Sequence, residues 1–390
     1  MIGDLDTFRF EVRDWIEANF PPSLCGLAPL TNPTEATERH ESPDYHQWVD
    51  AVGAKGWGVP TWPAEYGGAG LSAAHADVLA QEFSRADAFN PIAGLGVMML
   101  GPTVLEFGTE EQKRRHLPPI ARNRIRWCQG FSEPGAGSDL ASLQTRCEDR
   151  GDHWLINGQK IWTSFAHISD WCFCLVRTDT TRKQGGITFV LIDMRTPGVE
   201  ARPIKLINGA SHFCELFLTD VETPKSETLG EVNGGWAVAK RLLQHERTGL
   251  SARKATLDLA SLARDYVGLD AGGRLRDGDL RQRLLDHLVT DHAFGQTMAR
   301  RTAMLELGAP NPPALSILKN LGSRVSQDRG DLAVEILGNR SFGWAGEDYS
   351  ELELGVVHDW LYGKCFSIYG GSQEIQNNIT AKQVLGLPDQ

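Results

Sequence analysis

The first third of the chain places its apolar residues at the spacing of α-helices. In the segment 5–20 they fall on one side of a helix that Pro21-Pro22 ends: Leu5, Phe8, Val12, Trp15, Ile16 and Phe20. Further helices are predicted at four places: residues 45–55, residues 73–85 after the N-cap Ser72, the apolar segment 91–107, and the segment that follows the N-cap Thr109. We therefore expect a helical N-terminal region.

Between about residues 124 and 229 the period of the apolar residues changes to two, which is typical of β-strands. Asn157-Gly158 stands between the runs 154–156 and 159–162, and this pair predicts a β-hairpin with a tight turn. Other short apolar runs lie between turn residues at 171–176, 186–193 and 215–219. The pattern therefore indicates a small β domain.

The last third returns to helical spacing. Long helices are predicted over residues 236–266, 278–307, 313–337, 352–369 and 373–385, the last with Ser372 as its N-cap and Gly386 as its end. The chain is thus expected to be α+β, with a helical domain at 1–123, a small β-barrel or sandwich at 124–230 and a C-terminal four-helix bundle at 231–390.

Composition excludes several classes of protein. The 390 residues carry a formal net charge of −11, which argues against a nucleic-acid-binding protein. No stretch approaches 18 consecutive apolar residues, and the N-terminus lacks the apolar core of a signal peptide. The seven cysteines are scattered without zinc spacing, so we expect reduced thiols, no metal site and a cytoplasmic location.

Candidate chemistry is concentrated between residues 129 and 164. Gly135-Ala136-Gly137 would let a backbone approach a ligand closely, and Ser132 and Ser138 flank these small residues. Trp162-Thr163-Ser164 offers a flat aromatic surface followed by two hydroxyls, which suits a planar cofactor ring. The alternative is a polar turn followed by a tryptophan of the core, since glycine-rich loops are weak signals.

Six segments in order resemble the acyl-CoA dehydrogenase family. They are VPTWPAEYGGAGLS (59–72), EFGTEEQKRRHLPPI (106–120), FSEPGAGSDL, INGQKIWTS, HERTGL (245–250) and IYGGSQEIQNNI (368–379), and the resemblance runs from about Phe8 to Leu387. It implies an FAD enzyme that oxidises an acyl-CoA thioester between its α and β carbons. It also implies that a separate electron-transfer flavoprotein reoxidises the flavin.

The resemblance also points to a catalytic base. Many members carry a glutamate directly after the tyrosine of the C-terminal motif, where this chain has Gly370. A second branch, similar to the isovaleryl, long-chain and steroid side-chain enzymes, places the glutamate before an arginine, and here Glu246 precedes Arg247. Glu246 shares a helix side with Leu242 and Leu250, although a surface Glu246–Arg247 pair is the alternative.

In the implied mechanism Glu246 removes the α proton while the Gly370 N–H polarises the thioester oxygen. The positions that match flavin neighbours of the family are Gln129, Phe131, Ser132, Trp162 and Ser164, with Ser372 and Glu374 on the adenosine side. Those assigned to the substrate are Ser138, at the coenzyme A portion, and Arg247.

Two departures from the family concern the flavin site between subunits. The arginine of an Arg-x-x-Phe-Gly motif reaches the FAD pyrophosphate of a neighbouring subunit, but here Arg281 and Arg283 lack the Phe-Gly. Glu335 replaces the glutamine of Gln-x-x-Gly-Gly, and Asn339 replaces its second glycine. We therefore expect a homo- or hetero-oligomer that acts on a branched, cyclic or bulky acyl group. The alternatives are a flavin monooxygenase on the same fold and a non-catalytic partner subunit.

Overall fold

The computed structural model describes residues 4–25, 42–249, 257–306 and 315–388. The chain divides into two compact units. The first consists of Met1–Ile204 and Ser211–Gly249, and the second of Lys205–Ala210 and Leu250–Gln390. The three-domain division at residues 123 and 230 stays a prediction.

Two helices of the first unit begin at the predicted caps Ser72 and Thr109. The first unit contains α1 (Leu5–Asn19), α2 (Pro43–Ala54), α3 (Ala73–Arg85), a π-helix (Gly96–Leu100), α4 (Gly101–Phe107), α5 (Glu110–Ala121) and α6 (Gly235–Gly249). The Ser72 hydroxyl accepts the N–H of His75, and Thr109 forms a capping box with Gln112, which confirms both caps. The predicted start at residue 91 was wrong, because Gly94 has a left-handed φ of 112° and helical geometry begins only after it.

Seven strands in the described residues form one mixed sheet. They are β1 (Trp127–Gly130), β2 (Arg146–Asp149), β3 (His153–Ser164), β4 (Trp171–Arg177), β5 (Ile187–Asp193), β6 (Val199–Ile204) and β7 (Phe213–Pro224). The strand order is β1-β4-β2-β3-β7-β6, with β5 paired to β4. β1 runs parallel to β4, whereas β3 is antiparallel to β2 and β7.

The predicted hairpin at Asn157-Gly158 was wrong, because β3 continues through this pair. The Asn157 side chain accepts the backbone N–H of Asp220 at 2.9 Å and donates to the Asp220 carboxylate at 3.0 Å. The register with β7 shifts between Ile156 and Gly158, so the pair forms an irregularity in the ladder and not a turn. A long-range side-chain contact has replaced the local turn that the sequence favours.

Both faces of the central strands are buried. On β4, Phe173 and Leu175 pack with the helices, including Leu242 of α6, while Cys172 and Cys174 point to the opposite face. That face also buries Cys128, Cys147 and Cys214, and all seven cysteines are free thiols. β4 is therefore a nearly continuous run of apolar residues, as expected for a strand that is covered on both sides.

The second unit contains the described helices that follow α6 in the chain. They are α7 (Leu259–Tyr266), α8 (Gly278–Glu306), α9 (Leu315–Leu337), α10 (Glu351–Gly363) and α11 (Gln373–Ile379), with a π-helix at Thr380–Val384. The Ser372 hydroxyl caps α11, as predicted, by accepting the N–H of Ile375. The predicted helix 236–266 is described only as α6 and α7, since residues 250–256 lie outside the described part. No helix among the described residues is long and apolar enough to cross a membrane.

We predict that Gly158→Ala destabilises the fold by about 1–3 kcal/mol, the usual cost of forcing extra atoms into a packed site. A Cβ at Gly158 would lie 2.6 Å from Thr145 Oγ1 and 2.7 Å from Thr145 Cα. The control is Gly135→Ala, whose Cβ would meet no atom within 4 Å. Urea unfolding measures both free energies, and equal values for the two variants would contradict the prediction.

Candidate functional site

The loop that follows β1 is held by the carboxylate of Glu133. It accepts the backbone N–H groups of Gln144 at 2.6 Å and Thr145 at 2.9 Å, and the Thr145 hydroxyl at 2.5 Å. Lys160 Nζ donates to the same carboxylate at 2.7 Å and to the Phe131 carbonyl at 3.3 Å. The Lys160 side chain is fully buried, so this ion pair fixes the loop to β3 from the interior.

Glu133 remains ionised in this partly buried position. Burial raises the pKa of a carboxylate, but the Lys160 ammonium and the hydrogen bonds from Thr145 and Gln144 outweigh this and hold the pKa of Glu133 below its usual value. Sequence reasoning missed both residues of this pair. A signal existed, since Lys160 lies an even number of residues after Trp154 and Ile156 and shares their buried face.

Small residues of the same loop remain accessible. Glu133 and Ala136 exchange two backbone hydrogen bonds of 3.0 Å, which closes a tight turn. Gly135, Gly137 and Ser138 are exposed on this turn, as a ligand-binding loop requires. A groove of about 370 Å³ runs beside the turn, between residues 133–135 and the side chains of Thr145 and Gln159.

Trp162 is held in a strained and exposed conformation. Its φ is 61°, and Phe165, three positions later, has a φ of 58°, so two bulky residues close in sequence adopt left-handed backbone. The residue is 54% exposed, and its indole contacts Phe213 edge-on at 6.2 Å between ring centroids. The alternative of a core tryptophan is therefore wrong, and a flat aromatic surface is presented at a cost of about 1–3 kcal/mol in backbone strain.

The two segments predicted to meet the flavin lie side by side. The Ile161 N–H donates to the Ser132 carbonyl at 2.9 Å, which places Gln129–Ser132 against the end of β3 with Trp162 and Ser164. Phe131 is buried and contacts Phe173 and Phe189 edge-on, so only its backbone is available to a ligand.

The proposed base lies on α6, which continues to Gly249. Val238, Ala239 and Leu242 on this helix are buried, and Leu243 packs partly buried against the same core. This confirms the apolar stripe that the sequence predicted. The side chains of Glu246 and Arg247, and the whole of Leu250, lie outside the described residues.

The C-terminal motif belongs to the second unit. Gly370 and Gly371 both have left-handed φ angles, of 63° and 89°, and Ser372 begins α11 directly after them. Glu374 is exposed in the first turn of that helix. Sequence reasoning missed Lys319 and Gln376, whose side chains bind the carbonyls of these two glycines.

Two of the positions that depart from the family motifs, Arg283 and Glu335, form an ion pair in the second unit. Both terminal nitrogens of Arg283 donate to Glu335, one of them at 2.8 Å, and Arg283 Nε donates to Asp279 at 2.9 Å. The Glu335 carboxylate raises the pKa of Arg283 above its usual value. The guanidinium is thus engaged by two carboxylates of its own chain, while Asn339 is exposed nearby in sequence.

Comparison with known proteins identifies similar sequences along the whole chain. The family models described as acyl-CoA dehydrogenase N-terminal, middle and C-terminal domain match residues 4–124, 128–221 and 233–385. The chain is 36% identical to acyl-CoA dehydrogenase IpdE1 of Mycobacterium tuberculosis over 389 residues, which cover 99% of this chain and 98% of the relative.

Solved structures share the fold. One is described as the Tcur3481-Tcur3483 steroid ACAD, with a TM-score of 0.76 and 29% identity over 99% of this chain and 98% of that one. Another is the ChsE4-ChsE5 complex from Mycobacterium tuberculosis, with a TM-score of 0.75 and 27% identity over 100% of this chain and 99% of that one. These similarities confirm the predicted succession of helical, β and helical regions.

We predict that Lys160→Met lowers the free energy of unfolding by about 3 kcal/mol, because it leaves the Glu133 carboxylate partly buried without its cation. The control is Lys183→Met, which removes the pair Lys183–Asp139 from the same loop. Both side chains of that pair are about 60% exposed, so we expect a loss below about 1 kcal/mol.

Urea unfolding as a function of pH checks the assignment. Because the pKa of folded Glu133 is lowered, the stabilisation is present above the ordinary glutamate pKa of about 4.3 and is lost as the pH falls through the folded value. The difference between wild type and Lys160→Met should therefore shrink in acid. If the difference in the free energy of unfolding between wild type and Lys160→Met stays constant until acid unfolds the protein, the ion-pair interpretation is contradicted.

Proposed function

The chain belongs to the acyl-CoA dehydrogenase family, and we propose on this basis that it oxidises an acyl-CoA thioester between its α and β carbons with FAD. The family assignment makes it an oxidoreductase. The observation that carries the finer proposal is the strained, half-exposed Trp162 beside the turn Glu133–Ala136. Strain of this kind is retained where the surrounding structure enforces it, and such positions cluster at functional sites.

The residues of the first unit fit the cofactor. Trp162 offers a flat surface for the flavin ring, and the polar groups of Gln129, Ser132 and Ser164 lie on the two segments beside it. The exposed turn with Ser138 offers small residues and N–H groups to phosphates or to the coenzyme A portion. When bound, FAD would accept the hydride of the β carbon. Ser372 and Glu374 are proposed for the adenosine side.

Glu246 is proposed as the base that removes the α proton. The helix α6 supports this role, because its residues Ala239 and Leu242 anchor one side of it in the core and so fix the direction of the turn that follows. Gly370 is proposed to donate its backbone N–H to the thioester oxygen, which carries developing negative charge as the proton leaves. Arg247 is proposed to contact the substrate.

The substrate is proposed to be a branched, cyclic or otherwise bulky acyl-CoA. A glycine at position 370 leaves free the volume that a glutamate side chain takes in other members of the family. The similarity to a protein described as a steroid ACAD supports the proposal of a bulky acyl group. We propose an electron-transfer flavoprotein as the partner that would take up the electrons of the oxidation. The cytoplasmic location stays a prediction.

A second chain is proposed to complete the flavin site. The Arg283 guanidinium is held by Glu335 and Asp279, and a carboxylate at position 335 would repel a diphosphate. The similarity to a complex described by two different chains, ChsE4 and ChsE5, supports a heteromer. The same observation is compatible with a non-catalytic partner subunit, which lacks a working base.

We predict that Glu246→Gln lowers the rate of flavin reduction by acyl-CoA about 10²–10⁴-fold, the range that a general base supplies. Anaerobic bleaching of the flavin band by a panel of acyl-CoAs measures this rate. The matched control is Glu231→Gln, an exposed residue just before α6, which should leave the rate unchanged. Equal bleaching by wild type and Glu246→Gln would refute the assignment of the base. A flavin that no thioester bleaches would favour the partner-subunit or monooxygenase alternative.

We predict that the chain purified alone holds less than one FAD per chain, and that Glu335→Gln raises this occupancy because it releases Arg283. The matched control is Glu347→Gln, which removes one exposed negative charge from the same unit. Absorbance of released flavin against protein concentration measures the occupancy. Full occupancy of the wild-type chain alone would contradict the heteromer.

A further inference from the structure

Two consecutive glycines in the second unit have their carbonyl oxygens bound by side chains. The φ angles of Gly370 and Gly371 are 63° and 89°, a conformation that L side chains rarely adopt. Gln376 Nε2 donates to the Gly370 carbonyl at 3.0 Å. Lys319 Nζ donates to the Gly371 carbonyl at 2.6 Å. The two donors come from different helices, α11 and α9, so the glycine pair is held from two sides.

The Gln376 amide is packed tightly against the glycine pair. The residue is 2% exposed, and a Cβ at Gly371 would lie 2.4 Å from Gln376 Nε2. A side chain at position 371 would therefore displace the amide. Position 371 requires glycine for this reason as well as for its backbone angle.

The other end of the same amide is unsatisfied. Gln376 Oε1 is buried and has no hydrogen-bond partner in the part of the chain that the structure describes. An unpaired buried acceptor costs stability, which an apolar residue of the same size would avoid. The amide therefore contributes little net stability at this position, and what it supplies is the bond to the Gly370 carbonyl.

Fixing these carbonyls fixes the N–H groups around them. A peptide unit is planar, so the bond to the Gly370 carbonyl sets the direction of the Gly371 N–H on the opposite side. The same hydrogen bond also restricts the backbone rotation at Gly370 that would reorient the Gly370 N–H. Successive N–H groups held in such a turn form a concave site for an oxygen that carries negative charge. Donors held in advance are worth most, since they need no reorganisation during the reaction.

We propose that Gln376, assisted by Lys319, positions the Gly370–Gly371 backbone so that its N–H groups receive the thioester oxygen. The proposal rests on the proposed function, in which Gly370 is the donor. Gln376 acts through the glycines and does not itself touch the substrate, so it is a positioning residue. The hydrogen bond from Gln376 to the Gly370 carbonyl should stabilise the transition state, in which negative charge develops on the thioester oxygen, more than the ground state. Loss of this hydrogen bond should therefore lower kcat more than it raises KM.

The test compares Gln376→Glu with wild type in the FAD-loaded protein, assembled with its partner chain if one is required. A carboxylate has nearly the same shape as the amide but cannot donate to the Gly370 carbonyl. We expect kcat to fall about 10- to 100-fold, somewhat less than the loss of an oxyanion donor itself. The matched control is Gln327→Glu, because Gln327 Nε2 donates to the Gly363 carbonyl at 3.0 Å in the same unit. That variant should stay within about twofold of wild type in kcat.

A second readout separates positioning from a structural role. An acyl-CoA with sulfur in place of the β carbon can lose its α proton but cannot transfer a hydride, and its bound anion is followed by long-wavelength absorbance as the pH is raised. Gln376→Glu should raise the pKa of the bound analogue by about one to two pH units, equivalent to the expected loss in rate. Gln327→Glu should leave that pKa unchanged. An unchanged pKa and kcat in Gln376→Glu would overturn the proposal.

A further variant keeps the test decisive if Gln376→Glu does not fold. Lys319→Met removes the donor to the Gly371 carbonyl. We expect kcat to fall about tenfold and the pKa of the bound analogue to rise by about one pH unit. Wild-type values in this variant would overturn the proposal. If wild type itself is not bleached by any acyl-CoA, the proposed function fails and this inference fails with it. Bleaching of wild type with no effect of either variant rejects the positioning role alone.

Discussion

The arrangement of the candidate site depends on one buried ion pair. Lys160 is fully buried, and its ammonium is compensated by Glu133, which in turn accepts two backbone N–H groups and the hydroxyl of Thr145, the residue before β2. Charges in the interior are tolerated only when they are paired and hydrogen-bonded. Because Glu133 opens the exposed turn and Lys160 lies two residues before Trp162, the pair fixes the turn Glu133–Ala136 and the indole of Trp162 with respect to each other.

Left-handed backbone angles occur in both segments of the proposed site that the structure describes. Trp162 and Phe165 adopt left-handed angles without being glycine, and Gly370 and Gly371 adopt them in succession. These angles are unusual for Trp162 and Phe165 but ordinary for glycine. Neighbouring contacts hold both segments: the Ile161–Ser132 hydrogen bond in the first unit, and the Gln376 and Lys319 bonds in the second. A strained residue such as Trp162 persists only where the surrounding structure holds it.

The accuracy of the sequence predictions followed the range of the interactions involved. Ser72 and Thr109 were identified correctly as caps because each binds an N–H three residues away, so the whole motif is visible in the sequence. Asn157-Gly158 was misread as a turn because the partner of Asn157 is Asp220, which is 63 residues distant. The order of family motifs identified the fold, since motifs in register preserve their arrangement over the whole chain.

The sequence by itself determined the class of fold, the family and the limits of most helices, because local hydrogen bonds and the alternation of apolar residues are properties of neighbouring positions. Apart from the helix caps, the tertiary structure alone decided which polar side chains bind each other or a backbone carbonyl. Lys160 pairs with Glu133, Arg283 pairs with Glu335, and Gln376 binds the Gly370 carbonyl. Only the last two residues are close in sequence. A charged or amide side chain binds whatever partner the packing brings within about 3 Å, and that distance is set by the assembled core and not by the order of residues.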